Sequence, residues 1–153
     1  MLFRSLNLVP GVAERISTRE NGDVSADGLT YTIKLRESRW SDGKPVTAAD
    51  FAFAIRRVLD PALAAPYATA MYDIEGAEAY NTALGTKDSP KRPTDAELAR
   101  LREGLGVRTP DQRTLQVRLR SPRPTFAQML ALWVSWPLRE DVIAQHEIGR
   151  AHV

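Results

Sequence analysis

The stretch TYTIKLRESRWSDGKPVTAADFAFAIRRVLDP, residues 30–61, decides the fold prediction. Its opening residues alternate between apolar and polar side chains, with Tyr31, Ile33 and Leu35 on one face. A period of two residues is typical of a β-strand whose sheet is covered on one side. We therefore predict a strand over residues 30–36.

A turn and a helix follow this strand. The sequence SDGKP at residues 41–45 combines Asp-Gly with Pro, which favours chain reversal. Thr47 and Asp50 are spaced as at a helix N-terminus, where a hydroxyl and a carboxylate can bond the free amides. The apolar residues that follow recur with helical spacing, so we predict a helix over residues 48–59, ended by an Asp-Pro pair. Its predicted apolar face consists of Phe51, Ala54, Ile55, Val58 and Leu59.

One more strand and further helices are predicted downstream. LQVRLR, residues 115–120, alternates like the first strand and is its natural partner. A Thr-x-x-Glu capping pattern predicts a helix over residues 95–103. A one-sided apolar pattern predicts a helix over residues 125–133, with Trp133 on the apolar face. Short helical pieces are predicted in the alanine-rich residues 62–83. The predicted fold class is therefore α+β, a small mixed domain of antiparallel strands and several helices.

The charge balance argues against a nucleic-acid partner. The 153 residues contain 21 Lys and Arg against 19 Asp and Glu, a formal net charge of +2, and the charges are interspersed rather than clustered. No apolar stretch approaches the length of a membrane span. The absence of cysteine excludes a disulfide framework and a thiolate nucleophile, and it is compatible with either redox compartment.

The two ends of the chain match opposite strands of one DNA segment. Codons can be chosen for MLFRS, residues 1–5, such that the reverse complement of that DNA encodes EIGRA, the first five of residues 147–153. The DNA so obtained resembles a sequencing-library adapter. We expect residues 1–5 and 147–153 to be adapter-derived, and residues 6–146 to be a fragment of a longer protein. A missing signal peptide is then no evidence for the cytoplasm.

Few residues are suited to catalysis. The chain has two histidines, His146 and His152, and a Ser-His-acid triad, a Cys-His pair and the usual zinc site each lack a component. Asp42 with Asp50 is a candidate carboxylate pair, but the turn and the helix cap explain both residues. We therefore predict no catalytic residue, no metal and no cofactor. The alternative is a hydrolase or another enzyme that uses Asp42, Asp50 or Glu75.

The signature WSDGKPVTAADF at residues 40–51 is specific. Together with the strand before it and the helix after it, this signature resembles the substrate-binding proteins of peptide ABC importers, the oligopeptide- and dipeptide-binding members of solute-binding protein family 5. Further stretches follow the same family in order. They are LVPGVAE at 8–14, APYA at 65–68, VRTPDQRTLQVRLRSPRPTF at 107–126 and WPL at 136–138.

The resemblance implies a bilobal protein with a type II periplasmic-binding-protein-like fold, which closes around a peptide and delivers it to a membrane permease. This chain would be a small mixed subdomain of the first lobe, truncated at both ends. The implied location is periplasmic or otherwise extracytoplasmic, with lipid anchoring of the parent protein left open. The implied partners are the peptide and the permease, with no nucleic acid and no enzymatic step. A family member that binds nickel, haem or another small solute remains the alternative.

Tyr67 is the position that the resemblance assigns to the ligand. In oligopeptide-binding members a tyrosine in a Pro-Tyr-Ala stretch reaches the peptide, and Tyr67 is the matching residue. The alternative is that Tyr67 only packs between short helices. The polar stretch at residues 87–102 has no clear counterpart in the family. The signature residues are expected to be structural rather than ligand contacts: Trp40, Asp42, Gly43, Pro45, Thr47, Asp50 and Phe51.

Overall fold

A computed structural model describes residues 2–4 and 7–146, and the side chains from residue 8 onward. The described strands are β1 (Leu2–Arg4), β2 (Asn7–Val9), β3 (Thr30–Lys34), β4 (Val107–Asp111) and β5 (Thr114–Arg118). The α-helices are α1 (Ala48–Val58), α2 (Ala77–Asn81), α3 (Asp95–Glu103), α4 (Phe126–Met129) and α5 (Glu140–His146). Two 3₁₀ turns lie at Ala68–Met71 and Trp133–Ser135.

The central sheet has three strands in the order β3-β5-β4, all antiparallel. The predicted pairing of the two alternating segments is confirmed, with Tyr31 opposite Val117 and Ile33 opposite Leu115. These four side chains are buried, so the apolar face of each strand points into the core as the period of two requires. Leu35 extends the first strand through a bridge to Ala13.

Strand β4, at one edge of the sheet, was not predicted. Only Val107 of this strand is buried, and Pro110 interrupts it, so it has no alternating apolar pattern. The pairing with β5 shifts register between Arg108 and Asp111. Proline is tolerated at sheet edges because no ladder hydrogen bond is required of it there.

Helix α1 and the capped helix α3 form where the sequence predicted them. In α1, Ala52 and Ile55 are fully buried, and the helix packs against β4 and β5. In α3, Thr94 and Glu97 bond each other's backbone amides, at 3.2 Å and 2.7 Å. That reciprocal arrangement satisfies two amides that lack partners within the helix.

The single helix predicted over residues 125–133 is wrong. Helix α4 covers only Phe126–Met129, and Leu132 adopts an extended conformation with ψ of 148° before the 3₁₀ turn begins. The Ser135 hydroxyl donates to the carbonyl oxygens of Leu130 and Leu132, at 2.8 Å and 2.9 Å. A serine hydroxyl that bonds nearby carbonyls competes with helix continuation. Trp133 consequently leaves the apolar face and is 58% exposed.

The hydrophobic core joins the sheet to α1, α2 and α4. Phe126 is fully buried and meets Tyr31 edge to face, with ring centroids 5.1 Å apart. The short helical pieces predicted in residues 62–83 are confirmed as α2 and the first 3₁₀ turn, which contribute Met71 and Tyr80 to the core. The α+β fold class is confirmed. Within the described part of the chain, no helix has both the length and the apolar character needed to cross a bilayer.

The chain ends bear on the adapter prediction without testing it. Residues 147–153 lie outside the described residues, as do Met1 and Ser5. Strand β1, within the predicted adapter-derived residues 1–5, pairs antiparallel with β2, and neither strand was predicted. A strand assignment carries no information about the DNA that encoded it, so the origin of both ends stays a prediction.

Candidate functional site

The signature begins in a tight turn. The Trp40 amide donates to the Lys44 carbonyl at 2.8 Å, and the Gly43 amide donates to the Trp40 carbonyl at 2.9 Å. Gly43 has a φ of +85°, a conformation that glycine adopts without steric cost. The Asp42 carboxylate accepts from the Lys44 amide at 3.1 Å, which closes a local turn of the Asx kind.

The rest of the signature leads from this turn into α1. Pro45 forms a bridge with Arg39 across the turn. The Asp50 carboxylate accepts from the amide and the hydroxyl of Thr47, at 2.8 Å and 3.2 Å, and so fixes the start of the helix. Phe51 is partly buried against the core. The structure thus places these side chains in the turn, the helix start and the core.

A charged cluster joins the turn to the segment after Trp136. Arg139 donates to Asp42 at 2.9 Å and to both oxygens of Asp141 at 2.6 Å, and Lys44 donates to Asp141 at 3.0 Å. The Arg139 side chain is only 14% exposed, and its guanidinium carbon lies 5.9 Å from the centre of the Trp40 ring. Arginine over an indole face gains a cation–π attraction as well as packing.

The cluster also sets the charge states of its members. The hydrogen bond from Arg139 is the main reason that the pKa of Asp141 lies well below its ordinary value, and Lys44 adds to the effect. The same guanidinium lowers the pKa of Asp42, with help from the Lys44 amide. Both carboxylates are therefore held ionised as partners of a cation, a poor state for a group that has to donate a proton.

The carboxylates considered for an enzyme all have structural partners. Asp42 bonds Arg139, Asp50 bonds the start of α1, and Glu75 forms an ion pair with Arg118 at 3.0 Å. His146 is the last residue of α5 and is exposed, while His152 lies outside the described residues. Among residues 2–4 and 7–146, no three His, Cys, Asp or Glu side chains come together in a metal-binding group.

Tyr67 lies on the surface beside a second aromatic ring. Its side chain is 56% exposed and meets Trp133 edge to face, with ring centroids 5.2 Å apart and planes at 81°. Neither ring belongs to the buried core. We call these two residues the aromatic pair. Sequence reasoning missed Trp133 because helical periodicity placed it on a buried face, and the local signal against that helix is Ser135.

Trp40 is half-buried and differs from the aromatic pair. Its indole nitrogen Nε1 is fully buried and has no hydrogen-bond acceptor among the described residues. An unpartnered buried donor costs about 1–3 kcal/mol in folding free energy. Trp40 is thus placed under Arg139 as part of the fold, with one polar atom left unsatisfied.

Comparisons with known proteins agree with this architecture. The family described as "Bacterial extracellular solute-binding proteins, family 5 Middle" matches residues 7–148. Oligopeptide-binding protein OppA of Bacillus subtilis is 34% identical over 138 residues, which cover 90% of this chain and 22% of OppA. The probable deoxycholate-binding periplasmic protein YgiS of Escherichia coli is 34% identical over 147 residues, which cover 95% of this chain and 25% of YgiS.

A solved structure shows the same fold. The substrate-binding domain of an oligopeptide ABC transporter from Bacillus anthracis superposes with a TM-score of 0.71 and 37% sequence identity. The superposition covers 90% of this chain and 23% of that protein, so the chain spans about a quarter or less of the proteins it matches. Since the family match extends over nearly the whole chain, the protein belongs to the bacterial extracellular solute-binding proteins of family 5.

Proposed function

We propose that this chain is part of a longer extracytoplasmic solute-binding protein, which captures peptides for an ABC importer and delivers them to a membrane permease. The observation that carries the proposal is the exposed aromatic pair, Tyr67 with Trp133. Family membership supplies the context, because relatives with oligopeptide-binding names share about a third of its residues. In this proposal residues 6–146 are the natural fragment.

The aromatic pair suits a peptide ligand. A tyrosine presents an apolar ring and a hydroxyl that can donate or accept, and a tryptophan presents a large apolar face and one N–H donor. Rings held against each other lose little side-chain entropy when a ligand covers them. Tyr67 and Trp133 are therefore assigned to the ligand, whereas the signature residues, Trp40 to Phe51, hold the turn and the helix start.

Binding without bond chemistry fits the remaining side chains. The carboxylates Asp42, Asp50 and Glu75 are engaged in ion pairs or a helix cap. In the proposed parent protein a second lobe, beyond this chain, closes over the ligand and supplies the remaining contacts. We propose that the parent has no enzymatic activity.

A small amphipathic solute is the second candidate. YgiS, whose name describes deoxycholate binding, shares 34% identity with this chain. An aromatic wall accommodates a sterol ring system as readily as a peptide side chain, because both offer apolar surface. The two candidates differ in polar groups, since a peptide also requires donors and acceptors along its backbone.

The test uses the longer protein, recovered from the DNA that flanks this segment. Calorimetry should show saturable binding of a mixed oligopeptide pool, and deoxycholate is the competing ligand. Tyr67→Ala and Trp133→Ala should each raise Kd by roughly 5- to 30-fold, about 1–2 kcal/mol for an interface aromatic. Leu84→Ala is the matched control, because Leu84 is exposed but lies outside the aromatic pair. Deoxycholate binding alone favours the second candidate, and unchanged Kd values in both aromatic variants contradict the assigned contacts.

A further inference from the structure

A strained residue lies three positions before Tyr67. Ala64 has a φ of +48°, and among the residues that the structure describes it is the only non-glycine in the left-handed region. That region brings Cβ close to the following carbonyl oxygen, a steric cost that glycine does not bear. The Ala64 side chain is exposed, so its burial does not account for the conformation. Strained backbone persists only where its surroundings fix it, and it clusters at ligand sites.

The chain before Ala64 forms a fixed turn. The Leu63 amide donates to the Asp60 carbonyl at 3.1 Å, and the Ala62 amide donates to the Asp60 carboxylate at 2.9 Å. Leu59, which precedes this turn, is fully buried. The turn is therefore anchored to the core at its start.

The chain after Ala64 has little rotational freedom. Pro66 fixes its own φ and restricts Ala65 to extended conformations. The 3₁₀ turn that follows Tyr67 is anchored by Met71, which is fully buried. The backbone angles of Ala64 consequently determine the direction in which the chain enters Tyr67.

Asn81 holds the two ends of this loop together. Its side-chain nitrogen donates to the Leu59 carbonyl at 3.1 Å, and its side-chain oxygen accepts from the Tyr72 hydroxyl at 2.7 Å. Leu59 follows directly on α1, and Tyr72 follows the 3₁₀ turn. We call residues 59–72 the Tyr67 loop. With both ends held, the chain has to reverse within the loop, which accounts for the strained conformation of Ala64.

We propose that Ala64 is a positioning residue for the ligand site. Its left-handed backbone directs Tyr67 toward Trp133, where the two rings meet at 5.2 Å, and so presents the phenol to the ligand. Ala64 itself touches no ligand and acts only through Tyr67. The inference rests on the proposed function, because it concerns the same site.

The first test measures the aromatic pair in the 153-residue chain without ligand. Trp133→Phe identifies the Trp133 indole N–H resonance in the ¹H–¹⁵N spectrum, and Tyr67→Ala shows how far it moves when the ring contact is lost. Valine is strongly disfavoured in the left-handed region, so Ala64→Val should move the resonance toward that position.

Ala62→Val is the matched control for Ala64→Val. Ala62 is also exposed and lies in the same loop, but its φ is not left-handed. The control should leave the Trp133 resonance in place. Equal shifts in the two valine variants, or no shift in Ala64→Val, would overturn the inference.

A pair of glycine variants keeps the inference testable even if Ala64→Val does not fold. Ala64→Gly releases the steric cost, so it should retain the ring contact with Trp133 and lower Tm less than Ala62→Gly does. A fall in Tm as large as that of Ala62→Gly would show that Ala64 bears no strain, which also overturns the inference.

The second test measures binding of the oligopeptide pool by the longer protein. Ala64→Val should raise Kd, by at most the roughly 5- to 30-fold expected of Tyr67→Ala. Ala64→Asn should bind more tightly than Ala64→Val, since asparagine tolerates the left-handed region. In the Tyr67→Ala background, Ala64→Val should have no further effect on Kd, because its action depends on the tyrosine. Additive effects would contradict a positioning role.

The outcomes separate this inference from the proposed function. A Trp133 resonance that Ala64→Val leaves in place contradicts the positioning role, even if Tyr67→Ala weakens peptide binding. A resonance that moves, in a protein whose longer form binds peptide equally well with and without the Tyr67 ring, contradicts the assignment of Tyr67 to the ligand.

Discussion

Arg139 donates a 2.9 Å hydrogen bond to Asp42, a residue 97 positions earlier in the chain. The bond ties the signature turn to the segment that follows Trp136. Arg139 also bonds Asp141 through two nitrogens and covers the ring of Trp40. One side chain therefore connects the turn, the half-buried tryptophan and the start of α5.

Removing the Arg139 side chain should destabilise the fold. Arg139→Ala removes the ion-pair partner of Asp42, leaves Asp141 paired with Lys44 alone and uncovers Trp40, so Tm should fall. The Tm of Arg139→Lys should lie between that of Arg139→Ala and that of the unmodified chain. Lysine keeps the charge but cannot bond both carboxylates in a planar fork. Differential scanning calorimetry measures the order.

Arg120→Ala is the matched control for Arg139. Arg120 forms a 2.6 Å ion pair with Glu78, but both side chains are more than half exposed. Exposed pairs contribute little because solvent screens them. A Tm for Arg139→Ala equal to that of Arg120→Ala would show that the Arg139 cluster is an ordinary surface pair.

Phe126 should be among the most sensitive core positions. Its ring is fully buried against Tyr31, so Phe126→Ala should lower the free energy of unfolding by about 3–5 kcal/mol. Tyr31→Phe keeps the ring contact but removes the 2.9 Å hydrogen bond from the phenol to the Arg123 carbonyl, at a cost of about 0.5–1.5 kcal/mol. Urea unfolding followed by circular dichroism compares the two, and a larger loss for Tyr31→Phe would contradict the packing described.

Stability in acid should depend on Asp23. Arg15 holds this carboxylate with two hydrogen bonds, of 2.6 Å and 2.9 Å, and chiefly for that reason the pKa of Asp23 lies below its ordinary value. The unfolded chain then binds a proton more readily than the folded chain. The contribution of Asp23 to the free energy of unfolding is complete above its pKa in the unfolded chain. That contribution is lost as pH falls through the pKa of Asp23 in the folded chain.

The variant Asp23→Asn should lower Tm at pH 7 and flatten the loss of stability below about pH 5. Asp88→Asn is the control, because Asp88 lies exposed in the loop between α2 and α3. Thermal melts from pH 7 downward decide the matter. If Tm falls as steeply with decreasing pH in Asp23→Asn as in the unmodified chain, other carboxylates govern acid unfolding.

The 153-residue chain alone should bind no peptide with useful affinity. In the proposed parent protein, the aromatic pair forms one wall of a site enclosed between two lobes, and the second lobe supplies the remaining contacts. Calorimetry with the same oligopeptide pool should therefore give no saturable heat. Tight binding by the isolated chain would place the whole site within these residues.

Much of the sheet and two helices follow from local pattern. The alternation around Ile33 and Leu115 predicts two strands that must share a covered face, and the helical spacing around Ile55 predicts α1. Strand β4 escaped prediction because edge position and Pro110 remove the alternation that marks a strand. The prediction of a helix over residues 125–133 was wrong because helix propensity and periodicity do not reveal the hydrogen bonds that the Ser135 hydroxyl makes to nearby carbonyls.

The candidate site was only partly accessible from sequence. Tyr67 came from family resemblance, and nothing in its neighbourhood identifies Trp133, 66 positions later, as its contact. The Arg139 cluster escaped for the same reason, since its partners are brought together only by the complete fold. Long-range contacts between exposed side chains leave no periodic trace in a sequence.

The pairing of β3 with β5 also limits when this protein can fold. Tyr31 lies opposite Val117, and its phenol reaches the Arg123 carbonyl, 92 positions away. Contacts of high sequence separation form slowly, because loop closure costs entropy before any contact compensates for it. During synthesis, the apolar face of β3 must wait until β5 has left the ribosome. Nascent chains from which β5 has not yet emerged expose the apolar face of β3. Protection by a chaperone would be needed most at this stage of synthesis.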